Sequence, residues 1–243
     1  DGEVVVCGGA VNSPQLLMLS GIGPADHLAE HGIDPVVDLP GVGRNLQDHL
    51  FAFAVYERTS GTEDPAPSTN IGESGAFTRT SEDEPAPDLQ YHFAPVYFME
   101  HGFANPEEGM GFSIGATQLR PESRGRITLA SDDPFDDPVI DPRYLTDERD
   151  MEVLLAGLKE AREIADASAL DEYRGDEIWP GEDVQTDAEL REHIRETCHT
   201  VYHPVGTCKM GDDDMAVVDD ELRVHGVEGL RVVDASVMPT LVG

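Results

Sequence analysis

Residues 3–19 constrain the fold more than any other stretch. Val4-Val5-Val6 is a short continuous apolar run, which suits a strand covered on both faces, as in α/β sheets. It empties into Gly8-Gly9-Ala10, after which Ser13 is placed to cap a helix and Pro14 to occupy its first position. Leu16, Leu17 and Leu19 continue the helix, and Gly21 ends it. Strand, glycines and helix in that order are either a cofactor cradle at the carboxyl end of a strand or a loop tightened for packing.

After residue 45 the pattern changes. Leu50–Arg58, residues 72–78, Leu89–Phe93, Tyr97-Phe98, Phe112–Thr117 and Arg126–Leu129 read as strands joined by irregular, acidic or Pro-rich connections. Such a run predicts a mainly antiparallel sheet. Two helices follow. Asp147–Ala167 carries the apolar stripe Val153, Leu154, Leu158, Ala161 and Ile164. Asp187–Thr197 opens with the capping box Thr186/Glu189. The fold class expected is α/β (α+β): part of a Rossmann-like domain, and a second domain on a mainly antiparallel sheet covered by helices.

Charge excludes several functions. The 243 residues hold 49 acidic and 16 basic side chains, a net charge of −33. That opposes binding to nucleic acid and to anionic membranes, and no apolar stretch is long enough for a membrane span. The acid is spread along the chain, so its self-repulsion is relieved only where salt screens it. A high-salt cytoplasm is the expected setting. The three cysteines form no disulfide framework. A start at Asp1-Gly2-Glu3 before a strand, and an end at Gly243, suggest a piece of a larger protein.

The chemistry concentrates near the end. In Tyr202-His203-Pro204-Val205-Gly206-Thr207-Cys208-Lys209-Met210-Gly211, the proline biases His203 toward extended backbone. A histidine on rigid non-helical backbone is a candidate general base; the other reading is a core histidine bonded to backbone. Asp234, at the end of the strand Leu230–Val233, is placed to accept bonds from cofactor hydroxyls or to cap the next element. A further alternative is a metal site at Cys198, His199, His203 and Cys208, whose spacing matches no common zinc pattern. No GxGxxG or Walker A loop occurs, and Gly41-Val42-Gly43 lacks the third glycine.

Four stretches in order resemble the glucose–methanol–choline (GMC) oxidoreductases, especially choline dehydrogenases: Gly9–Gly23, Gly43–His49, Tyr202–Gly211 and Leu222–Pro239. The resemblance implies FAD as cofactor, a partial FAD-binding domain at 1–45, a substrate domain at 46–197 and a return to the FAD domain at 198–243. It implies His203 as the catalytic histidine, positioned by Tyr202 and Pro204. Asn12, Ser13, Tyr202, Asp234 and Ala235 would lie along the cofactor. Glu73 and His92 would face the substrate, a small-molecule alcohol whose electron acceptor is undetermined. The family's N-terminal dinucleotide-binding half and its second catalytic residue fall outside this chain, so the chain alone is expected to be inactive.

Overall fold

A computed structural model of the chain describes residues 2–59, 72, 74–98 and 110–243. In chain order the elements are β1 (Val4–Val6), α1 (Gly9–Leu19), β2 (Ile22–Gly23), α2 (Ala25–Glu30), β3 (Val37–Asp38), β4 (Leu50–Arg58), β5 (Ser74–Thr78), β6 (Leu89–Ala94), β7 (Gly111–Gln118), β8 (Arg126–Thr128), β9 (Val139–Asp141), α3 (Glu148–Ala165), β10 (Arg174–Trp179), α4 (Asp187–Thr197), β11 (His199–Thr200) and β12 (Leu230–Val232). Short 3-10 turns lie at Ser168–Leu170 and Ala235–Val237.

The chain forms two compact units. The first comprises Asp1–Asp48, Pro121–Thr146 and Tyr202–Val242. The second comprises His49–Arg120 and Asp147–Val201, with Gly243. Residues 121–146 therefore group with the first unit, whereas the change of pattern along the sequence assigned all of 46–197 to one domain. The cause is β8, whose Ile127 donates to Gly43 and joins the core of Leu17, Met18, Leu28, Val42, Val218 and Val232.

In the first unit β1 and β12 pair in parallel, Val4 beside Leu230 and Val6 beside Val232. The expectation of a strand covered on both faces fails: Val4 is 62% and Val5 48% exposed, because the described sheet has only these two strands. Helix α1 also starts earlier than expected. It begins at Gly9, so Ser13 is not its cap and Pro14 lies inside it. Pro14 offers no N–H to the carbonyl of Ala10 four residues before. The Thr207 hydroxyl donates to that carbonyl instead, at 2.6 Å. Ser13 is free for another task, described below.

The second unit is an antiparallel sheet in the order β10-β4-β7-β6-β5, with β11 also on β4. Leu50 through Tyr56 of β4 are all buried, so this strand is covered on both faces. Helix α3 packs on β4, β6 and β7, and α4 packs on α3. Gly157 permits that approach: a Cβ there would stand 2.9 Å from the Ala116 Cβ on β7 and 3.0 Å from Leu89. Asp147 caps α3 through the Arg149 N–H, and the Thr186/Glu189 capping box forms as expected. Tyr97-Phe98 is not a strand; the Phe98 N–H donates to the Ser113 hydroxyl, which donates in turn to Val96. Strand β10 was not anticipated, since Arg174-Gly175-Asp176-Glu177 carries no apolar alternation.

Candidate functional site

His203 sits on a loop in the first unit that a second segment holds in place. Gln47 and Val205 pair as an antiparallel bridge, each N–H donating to the other's carbonyl, at 3.1 and 2.9 Å. The buried carboxylate of Asp48 accepts the His203 N–H at 2.9 Å through Oδ1 and the Tyr144 hydroxyl at 2.6 Å through Oδ2. Asn45 Nδ2 donates to Gly206 and Pro239 carbonyls at 3.2 and 3.3 Å. Gly206, at φ +92°, has no room for a side chain, since a Cβ would lie 2.6 Å from the Asn45 carbonyl oxygen. The His203 side chain itself is exposed. The core-histidine alternative therefore does not describe it.

From Gly206 the loop runs along the turn after β12. Gly206, Cys208 and Met210 donate to the carbonyls of Ala235, Ser236 and Val237 at 3.2, 2.8 and 2.8 Å. Asp234 lies at the carboxyl end of β12, beside the carboxyl end of β1. Its Oδ2 accepts from the Gly9 N–H at 3.0 Å and the Ser13 hydroxyl at 2.5 Å, and its Oδ1 accepts from the Ser236 N–H at 2.8 Å. Burial alone would raise its pKa; the bonds from Ser13, Ser236 and Gly9 outweigh this and hold it below the usual carboxylate range. Asp234 thus caps the Ala235–Val237 turn and ties it to the start of α1. Asn12 points its amide at Gln15 Oε1, 2.9 Å away, and Tyr202 is 63% exposed.

The second unit contains an apolar cavity of about 400 Å³, lined by Phe51, Phe53, His92, Val96, Phe98 and Val201 among others. His92 faces it from β6, while its neighbours Leu89 and Tyr91 are buried on the other side of the strand. His199 packs its ring on Phe51 and Phe53, with centroids 4.4 and 5.3 Å apart. Burial lowers its pKa, and its Nδ1 donates to the Thr200 carbonyl at 2.8 Å. Glu73 lies outside the described residues. Of the suggested metal ligands, burial pushes the Cys198 thiol up to about 11 and the Cys208 thiol up to about 12. Among the described residues no group of three or more His, Cys, Asp or Glu is arranged to hold a metal ion.

Two models of one family, both described as GMC oxidoreductase, match residues 1–51 and 121–243. The chain belongs to the GMC oxidoreductase family. Its relatives in that family include choline oxidase of Arthrobacter globiformis, 49% identical over 245 residues, covering 98% of this chain and 44% of the relative. An oxygen-dependent choline dehydrogenase of Proteus mirabilis is 44% identical over 261 residues, covering 99% of this chain and 47% of the relative. Among solved structures, pyridoxine 4-oxidase from Mesorbium loti superimposes with a TM-score of 0.90 at 36% identity, covering 99% of this chain and 47% of that one. A FAD-dependent oxidoreductase from Chaetomium thermophilum superimposes with a TM-score of 0.79 at 26% identity, covering 100% of this chain and 52% of that one. The chain spans less than half the length of these curated relatives.

Within this GMC chain, sequence reasoning quoted the Gly43–His49 motif without a role for it. The role is the clamp on the His203 loop. The aromatic wall of the cavity was also missed, because Phe51 and Phe53 read only as strand residues. No helix among the described residues is long and apolar enough to cross a membrane.

Proposed function

We propose that this chain supplies the catalytic histidine and part of the cofactor and substrate sites for FAD-dependent oxidation of an alcohol to an aldehyde or ketone. The observation that carries the reading is the clamped loop: a rigid backbone presents an exposed imidazole in a chain 49% identical to a choline oxidase. His203 takes the hydroxyl proton or stabilises the developing alkoxide, roles that an imidazole can fill as acceptor or donor.

The residues present fit the flavin's needs. The carboxyl ends of the parallel strands β1 and β12 lie side by side, where α/β folds hold ligands. The first turn of α1 carries no acidic residue of its own, and the carboxylate that meets it is Asp234, through Gly9 and Ser13. A Cβ built on Gly9 would meet open space. Asn12, Tyr202, Asp234 and Ala235 would hold the cofactor; Ser13, expected among them, is fully buried and steadies Asp234 instead. FAD, when bound, supplies the hydride acceptor. The Phe51/Phe53/Phe98 cavity, with His92, would take the apolar part of the alcohol. Glu73 would add a carboxylate for a cationic substrate.

The rest of the FAD site would come from a dinucleotide-binding half on another part of a longer protein or on a partner chain, and the chain alone would be inactive. The uncovered β1–β12 pair is where such a half would add strands. The acidic surface would suit a high-salt cytoplasm.

The test is a chimera joining the unmatched part of the Arthrobacter globiformis choline oxidase to this chain. Turnover of choline or a simple primary alcohol is expected, and His203→Ala should remove most of it while flavin absorbance remains. A His203→Ala chimera with wild-type turnover would refute the assignment.

A further inference from the structure

The clamp on the His203 loop contains a local conflict. Tyr202 has φ +62°, in the left-handed region. For a residue with a side chain that region is disfavoured by about 5- to 30-fold. The next N–H, that of His203, points at the Asp48 carboxylate, 2.9 Å away. A hydrogen bond to a charged acceptor is worth about 10- to 150-fold, enough to offset the strain. Asp48 is 5% exposed, and its other oxygen receives the Tyr144 hydroxyl at 2.6 Å, so the carboxylate has little freedom to turn. One residue before it, Gln47 is paired with Val205. The His203 backbone is therefore held on both sides, by a side chain before it and a bridge after it.

We propose that Asp48 is a positioning residue for His203: its carboxylate, steadied by Tyr144, holds the His203 amide and so keeps Tyr202 left-handed and the imidazole aimed. The inference deepens the reading of His203 as the reacting histidine and rests on it. A loop free to relax at Tyr202 would reorient the Cα–Cβ bond of the following residue. Small displacements of a catalytic group lower turnover more than they alter binding.

Amide hydrogen exchange, followed by NMR on the intact chain in molar KCl, reads the contact without any cofactor. The His203 amide is protected in the native chain, and Asp48→Ala speeds its exchange by about 10- to 150-fold while the amides of β12 keep their rates. Asp48→Asn, which retains an acceptor oxygen, falls between the two, and Tyr144→Phe has a smaller effect of the same sign. Where Asp48→Ala does not fold, Asp48→Asn and Tyr144→Phe carry the comparison. In the chimera, Asp48→Asn lowers kcat with KM little changed. An unprotected His203 amide in the native chain overturns the proposal. So does equal loss of protection at His203 and β12, which marks a purely structural role, or a change confined to KM. The His203→Ala chimera separates the two ideas: full turnover there removes the catalytic reading, while the exchange result still reports whether Asp48 holds the loop.

Discussion

His193 on α4 gives the sharpest prediction, because the chain's sole tryptophan reports on it. Its ring meets Trp179 edge-on, with centroids 5.1 Å apart. The Thr197 hydroxyl spends its proton on the His193 carbonyl at 2.7 Å, so it accepts from His193 Nε2–H at 3.2 Å. Burial, and then the charge of Arg162, push its pKa down to about 4 from an ordinary 6.5. Between pH 6.5 and 4 the unfolded chain binds a proton that the folded chain refuses. Stability from this group is complete above pH 6.5 and is lost as pH falls toward 4. The full shift corresponds to about 3 kcal/mol; part exposure of the ring reduces this to on the order of 2 kcal/mol. Tryptophan fluorescence of the folded chain, titrated from pH 8 to 3.5 in molar KCl, should show its His193-dependent quenching step near pH 4. Urea unfolding at pH 7.5 and 5 should show a decline that His193→Gln removes in part, since the amide can still donate to Thr197 but cannot titrate. A folded-state midpoint at 6.5 or above, or an identical pH decline in His193→Gln, would refute the reasoning.

Two further predictions concern the packing of the second unit. Arg162 and Glu177 form a two-point ion pair, both contacts 2.8 Å, with side chains only 16% and 8% exposed. Glu177→Ala should lower the unfolding free energy by about 3–5 kcal/mol, whereas the double change Arg162→Met/Glu177→Leu should be close to neutral by denaturant titration. Gly157→Val should push α3 off β7 and lower stability by about 1–3 kcal/mol in the same assay, because Ala116 and Leu89 leave no space for the added carbons.

What the sequence made legible follows from how local each cause is. The bounds of strand β4 and helix α4 were readable from sequence: β4 was read as an alternating strand, though the fold buries it on both faces, and α4 has a capping box whose partners are three residues apart. Helix α1 was misread because its start depends on distant groups. Ser13 looked like a cap but binds Asp234, 221 residues away, and Pro14 is tolerated because Thr207, from the other end of the chain, satisfies Ala10. Strand β10 is polar and is recruited by pairing with β4, through an irregular register. In the candidate site, residue types and family motifs singled out His203 and Asp234. The clamp escaped, because a side chain that accepts one backbone N–H 155 residues away leaves no periodic or spacing signal.

Asp234 drew two readings from its sequence, a helix-type cap and a cofactor ligand, and the geometry shows how far they are compatible. A carboxylate oxygen has room for about two donors. Oδ2 is filled by Gly9 and Ser13, while Oδ1 has accepted only Ser236. A cofactor hydroxyl would therefore be received at Oδ1, beside the cap rather than in place of it. The three bonds also matter for the fold. The β1–β12 pair is a two-stranded parallel ribbon, marginal on its own, and Asp234 and the Arg231–Glu3 ion pair at 2.6 Å add to its ladder. Asp234→Asn, though equal in size, replaces one oxygen with an N–H donor. Either Ser236 or the Gly9/Ser13 pair must then face a donor. The unfolding free energy of the first unit should fall by about 1–3 kcal/mol, and hydrogen exchange at Val4–Val6 and Leu230–Val232 should quicken. Native-like exchange in Asp234→Asn would mean that the three Asp234 bonds are not needed to hold the ribbon.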